Sequence, residues 1–199
     1  MPAPKSAGEG GFSIVEMIVA VALFVVVMLV SVTALLALVD ANRKARSLES
    51  VMNNLNIAID GMVRSMRMGS EYHCDADVPS ITDVRGCLNN PASSVSFLKY
   101  GGTVDTSTDH WIYAFDSDGS LCGANRLCKS ENGGQNYYAL TAPEIVINEA
   151  YFYVMGVQPG DEFQPKIVII LKGVAGSGKA RTSSTFSIQA TAVQRVLDI

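Results

Sequence analysis

Residues Ile18 to Val39 read IVAVALFVVVMLVSVTALLALV, 22 positions without a charged residue or a proline. A helix that crosses the hydrocarbon core of a bilayer needs about 20 such residues. A buried helix of a soluble protein is the alternative, but few globular cores hold a continuous apolar helix of that length. The stretch therefore predicts a membrane-spanning helix, and the rest of the chain is organised around it.

Toward the C-terminus the helical pattern continues but changes character. Leu48, Val51, Met52, Leu55, Ile59, Met62, Val63 and Met66 recur at steps of three and four, which places them on one stripe of an α-helix. Asn53, Asn54, Asp60, Arg64 and Arg67 lie mostly off that stripe, and Gly61 weakens the helix locally. Such a stripe is ordinary core. Gly69-Ser70 supplies the stop.

Beyond residue 70 the period changes to two. Val95–Tyr100 is a short candidate strand. Trp111, Tyr113 and Phe115 alternate with other residues, and Asp116-Ser-Asp-Gly119 then supplies a turn. Ile145–Ile147, Tyr151–Met155 and the apolar run Ile167–Leu171 are rich in β-formers. Phe186, Ile188 and Ala190 alternate with Ser187, Gln189 and Thr191. Loops are expected at Gly101–Asp109, Cys122–Gln135, Gln158–Pro165 and Gly173–Thr182. The expected fold class is α+β: one long N-terminal helix, transmembrane over 12–39 and amphipathic over 40–69, packed on a mostly antiparallel β-rich soluble domain over 70–199.

On the N-terminal side the order of segments is informative. Residues 1–11, MPAPKSAGEGG, are small and polar, and the apolar run follows them. A secretory signal has the reverse order, with the apolar region ahead of the cleavage site. Residues 1–11 therefore read as a leader peptide, and the apolar helix should stay in the mature chain.

Charge and cysteines bound the function. The net charge is −4, with five Lys/Arg against three Asp/Glu over 40–69 and nine against fourteen over 70–199. An acidic folded part is a poor match to a nucleic-acid backbone, so no nucleic-acid partner is expected. All four cysteines, Cys74, Cys87, Cys122 and Cys128, follow the apolar segment. An even count on one side points to two disulfides in an oxidising compartment, with the local pairing Cys74–Cys87 and Cys122–Cys128 favoured. Zinc is the rival, with His73 and His110 as extra ligands, but zinc sites usually show C-x2–4-C pairs and the gaps here are twelve and five residues. No metal or cofactor is expected.

One constellation carries a specific resemblance. Gly11-Phe12-Ser13-Ile14-Val15-Glu16-Met17, with the apolar run directly after it, resembles the prepilin-type cleavage and methylation motif of type IV pilins and type II secretion pseudopilins. The resemblance covers about 30 residues. It implies that a membrane-embedded prepilin peptidase cuts between Gly11 and Phe12, that the Phe12 amine is N-methylated, and that Glu16, fifth in the mature chain, acts in assembly by pairing with the amine of a neighbouring subunit. Physical chemistry supports the parts separately. Gly11 has no side chain to obstruct a protease groove. A lone carboxylate near the membrane costs at least a few kcal/mol and needs a partner, unless it snorkels to the interface from its place near the helix end. Two features depart from the family. Arg43, Lys44 and Arg46 follow the helix while the leader holds only Lys5, offset by Glu9, so the positive-inside tendency puts the C-terminal domain in the cytoplasm. The family's orientation is the opposite, and the cysteines side with the family. There is also no proline in the middle of the helix, where many major pilins have one, which points to a minor subunit.

The segment from Trp111 to Ile199 is also loosely similar to J-type minor pseudopilins, through Tyr151-Phe-Tyr-Val-Met-Gly156 and Gln189-Ala-Thr-Ala-Val-Gln-Arg-Val-Leu-Asp198. The resemblance implies a non-enzymatic pilus-like or pseudopilus filament subunit at the tip or in initiation, held in the inner membrane by one span with its domain outside the cytoplasm. Its partners would be the prepilin peptidase, other pilin or pseudopilin subunits and the membrane. The competing readings are a type IV pilus subunit for adhesion or DNA uptake and a membrane-anchored enzyme. No Ser-His-Asp, Cys-His or paired-carboxylate set supports an enzyme. Gly173-Val-Ala-Gly-Ser-Gly178-Lys179 imitates a phosphate-binding loop, but Ala180 replaces the required hydroxyl and no helix is expected after it. Asp116-Ser-Asp118-Gly119 imitates a calcium loop without its third ligand and terminal glutamate; it reads as a hairpin turn, with calcium left open by the resemblance, since some pseudopilins bind it. His73 and His110 read as loop residues.

Overall fold

The computed structural model describes residues 11–75, 83–158, 160, 163–175 and 183–195, with the Ser47 side chain left out. The leader, residues 1–10, lies outside the described residues apart from Gly11. The chain divides into two compact units, Met1–Ala45 and Arg46–Ile199. One α-helix, α1 (Ile14–Met68), runs through both. In the first unit every described residue from Gly11 to Ala45 is exposed. The helix holds a stretch apolar enough to cross a membrane, with a mean hydropathy of 3.0 and none of it buried.

In the second unit the same helix is amphipathic. Val51, Leu55, Ile59, Met62 and Met66 are buried, and Leu48 and Val63 pack against the same cluster. Ile57, off the stripe, stays 71% exposed. The helix ends at Met68 because its last carbonyls find other donors. The Tyr72 hydroxyl lies 2.6 Å from the Met66 carbonyl and 2.9 Å from that of Gly69. The Arg195 N–H donates to the Arg67 carbonyl at 2.8 Å. These contacts satisfy groups that a helix end leaves open. Position 69 takes no side chain, since a Cβ there would strike the Phe97 ring.

The strands form two antiparallel sheets. The first has the order β1 (Ser70–Cys74), β2 (Ser94–Leu98), β3 (His110–Asp116), β4 (Arg126–Ser130), β5 (Tyr138–Ala139). The second has the order β6 (Ile145–Met155), β7 (Lys166–Ala175), β8 (Ser184–Val193). The α+β expectation is met in this form: a long apolar N-terminal helix with antiparallel sheets. One buried cluster joins the helix stripe to Tyr72, Val95, Phe97, Tyr113 and Leu127 of the first sheet and to Phe152, Val154, Ile167, Ile169 and Leu171 of the second. Phe97 is its aromatic centre, with ring centroids 5.8 Å from Tyr113, 6.2 Å from Tyr72 and 6.3 Å from Trp111. At those separations aromatic pairs contribute beyond their buried area.

Several local expectations are corrected. The region Cys122–Gln135, expected as loop, contains β4, and Ser70–Cys74 forms β1 instead of only ending the helix. The two pieces Ile145–Ile147 and Tyr151–Met155 are one strand, interrupted by an irregularity between Ile147 and Glu149. Gly173-Val174-Ala175 belongs to β7, not to a loop. His73 and His110 are buried strand residues, at 2% and 0% exposure.

Candidate assembly site at the helix N-terminus

The residues of the Gly11–Glu16 motif lie at the open end of α1. Gly11 has nothing within 4 Å of where a Cβ would stand, and Phe12 is 80% exposed. The first helical hydrogen bond runs from the Met17 N–H to the Ser13 carbonyl at 3.2 Å. Ser13 thus stands at the N-cap and Glu16 at the third helical position. Ser-x-x-Glu is the capping-box spacing, in which both side chains serve the first-turn N–H groups. The carboxylate also sits at the positive end of the helix dipole. Sequence reading missed this spacing, which becomes visible once the helix start is located. The arrangement leaves Gly11 and Phe12 exposed, and it places the one ionisable side chain between Phe12 and Val39 at the start of the apolar helix.

The cysteines sit in the second unit. Cys74 is bonded to Cys87 and Cys122 to Cys128, with Cα atoms 5.9 and 6.0 Å apart. The first bridge ties β1 to the segment before β2, and Cys87 also donates its N–H to the Val154 carbonyl at 2.9 Å. The second closes the loop between β3 and β4. Within that loop Asp116 is a buried hub. Its Oδ1 accepts the N–H groups of Gly119 (2.8 Å) and Ser120 (3.0 Å). Its Oδ2 accepts those of Leu121 (2.9 Å), Cys122 (2.8 Å) and Gly123 (2.9 Å). Burial alone would raise its pKa, but the N–H bonds prevail and hold the carboxyl far below the ordinary carboxylate range. Instead of a two-residue turn, the hairpin closes on the pair Asp116–Arg126 with nine residues between.

This geometry bears on the metal readings. Asp116, Cys122 and Cys128 are the one described cluster with metal-ligand atoms close together, yet both sulfurs are in a disulfide. The Asp116 oxygens face five N–H donors, which suit an anionic side chain and not a cation. The histidines are not brought to the cysteine pairs as ligands. The His73 Nδ1 bonds the Asp83 carbonyl at 2.6 Å and the His110 Nδ1 bonds the Thr106 carbonyl at 3.1 Å. A carbonyl partner requires the proton on Nδ1 in each ring. Both Nε2 atoms and the Ser96 hydroxyl are buried without a hydrogen-bond partner.

Gly173 of the phosphate-loop look-alike is paired with Ile147 and Phe186, and residues 176–182 lie outside the described residues. The next described element is a strand, β8, so the helix N-terminus that such a loop requires does not follow among the described residues. The last polar cluster is structural. The Lys129 ammonium lies 3.8 Å over the Trp111 ring and 2.6 Å from Glu131 Oε1, to which the Tyr138 hydroxyl donates at 2.8 Å. Lys129 first, and Tyr138 second, hold the Glu131 carboxyl below its ordinary value.

No family model, curated protein or solved structure matches the chain.

Proposed function

We propose that the chain is a non-enzymatic subunit of a type IV pilus-like or pseudopilus filament, a minor pseudopilin working at the tip or in initiation. The observation that carries this reading is the N-terminal juxtaposition: Gly11 and Phe12 uncovered, Glu16 in the first helical turn, and then a helix with every residue from Ile18 to Val39 exposed. Such a surface is unstable in water and needs either lipid or a bundle of similar helices. A retained helix serves both, first as a membrane anchor and then as part of a filament core. In this reading the prepilin peptidase cuts before Phe12, the mature chain begins with a methylated amine, and Glu16 meets the amine of an adjacent subunit. The disulfides suit a domain outside the cytoplasm.

The test compares wild-type and Glu16→Ala full-length protein in the native host, both confirmed as processed. The variant should retain cleavage and domain stability but lose recovery of co-purifying filament subunits, because a buried amine without its partner costs about 3–5 kcal/mol. Equal recovery with both proteins would refute the assembly role. Dependence of this protein on a retraction ATPase would favour the pilus alternative over secretion.

A further inference from the structure

Each antiparallel sheet has two edges, and three of the four are closed by visible devices. The outer side of β1 is bonded by Arg85, whose carbonyl accepts the Cys74 N–H at 2.8 Å and whose N–H reaches the Tyr72 carbonyl at 3.0 Å. At the other end of that sheet β5 is only two residues long. The outer side of β6 is covered by Cys87, by a two-way bond between Ala92 and Phe152 (2.9 and 3.2 Å), and by Asn125, whose carbonyl accepts the Ile147 N–H at 2.9 Å. Short strands, irregularities and covering segments are how proteins blunt sheet edges.

Among the described residues the fourth edge, β8 (Ser184–Val193), has none of these along its length; two residues past it the Arg195 N–H donates to the Arg67 carbonyl at 2.8 Å. It pairs with β7 through ten consecutive residues without an irregularity. Its sequence, STFSIQATAV, contains no charge and no proline. Among the described residues its backbone makes no bond beyond the β7 ladder. Its inward row, Phe186, Ile188 and Ala190, is only partly buried, whereas Ile167, Ile169 and Leu171 on β7 are each 1% exposed. Ala192, next in that row, is buried at 2%, so the apolar layer is left incomplete among the described residues along Phe186, Ile188 and Ala190. Two residues past β8, Arg195 lines a groove with Asp60, Val63, Arg64, Arg67 and Met68 of α1. The lining thus holds three arginines and one aspartate, and none of the four has an ion pair among the described residues.

We infer that β8 is a docking edge for an extended strand donated by a partner polypeptide: uncharged along its length, apolar on the side that extends the Phe186–Ile188–Ala190 row, and carrying carboxylates where it passes Arg64, Arg67 and Arg195. Backbone bonds to an open edge supply affinity, and alternate side chains supply selectivity. A donated strand that keeps the antiparallel sense of the β6–β7 and β7–β8 pairs has its acidic end at its N-terminus. The inference does not depend on what the helix N-terminus does.

The test uses the full chain in detergent micelles and amide hydrogen exchange resolved by residue. In the free protein alternate β8 amides, those facing away from β7, should exchange at least about a hundredfold faster than β7 amides. A synthetic peptide of two Asp followed by ten alternating Thr and Val residues should protect those amides. The same peptide with two Lys in place of Asp should bind about tenfold more weakly, and Arg64→Glu with Arg67→Glu should reverse that preference. Uniformly slow β8 amides in the free protein, or no protection by either peptide, would overturn the docking edge. Equal affinity for the two peptides would overturn the acidic partner. Protection that appears with rising protein concentration alone would assign the edge to a second copy and overturn the donated strand.

Discussion

Asp116→Asn is the sharpest perturbation of the folded domain. The substitution keeps one oxygen and places an NH2 group at the other. In its better orientation the remaining oxygen faces Leu121, Cys122 and Gly123, and the NH2 group faces the N–H groups of Gly119 and Ser120. The Gly119 N–H loses its acceptor, the Ser120 N–H keeps a second one in Asp118 Oδ1 at 3.0 Å, and the other three donors exchange a charged acceptor for a neutral one. Gly119 is exposed, so water recovers part of that loss. At roughly 0.5–1 kcal/mol for each affected bond the total is about 2–4 kcal/mol, a fall in Tm of about 6–12 °C for a domain of this size. Trp111, the sole tryptophan, lies in the same strand β3 and reports unfolding by fluorescence in the oxidised full chain in micelles. The pH dependence is a second reading of the same site. The folded carboxyl titrates below its ordinary value of 3.8, so near that pH the unfolded chain binds the extra proton. The stabilisation is complete above the ordinary carboxylate range and is lost as pH falls through it toward the folded value. The Asn variant should lack that part of the acid slope, while Asp109 and Glu131, also held low, still contribute in both proteins. A loss under about 0.5 kcal/mol, or an unchanged acid slope, would refute the hub assignment.

Two further outcomes are expected. Mass mapping of protein from its native host without reductant should find the Cys74–Cys87 and Cys122–Cys128 bridges. Opening the first, with its sequence separation of 13, should cost about 3 kcal/mol in the chain-entropy model, and four freely alkylated thiols would refute it. Gly173→Ala should destabilise the domain by about 1–3 kcal/mol in a denaturant titration, because its Cβ would strike the Val146 carbonyl and the Phe186 ring; a neutral result would show that β6 and β8 give way there.

The long helix was legible because its signals are local. A run without charge and a stripe at steps of three and four both follow from the sequence of one element. The strands built from Trp111, Tyr113 and Phe115 or from Ile167–Leu171 were legible for the same reason. β4 was not. Arg126-Leu-Cys-Lys-Ser130 is polar, and the burial of Lys129 depends on the Trp111 ring in one partner strand and on Glu131. β1 was hidden by its mixed residues Ser70-Glu-Tyr-His-Cys74, whose burial depends on Phe97 and on the segment around Arg85. His73 and His110 read as loop residues because no side chain nearby in sequence signals a buried imidazole; their partners are the backbone carbonyls of Asp83 and Thr106, which leave no mark in the sequence. Of the candidate site, the motif and its register were visible in sequence, and the N-cap position of Ser13 required the start of the helix to be located.

The most direct test of the filament-subunit reading is the intact mass and N-terminal sequence of the native protein from host membranes. The account predicts a chain that begins at Phe12 with a methylated amine and retains the helix through Val39, and a Gly11→Val variant that stays unprocessed. A native terminus at Met1, or one beyond Val39, would contradict it.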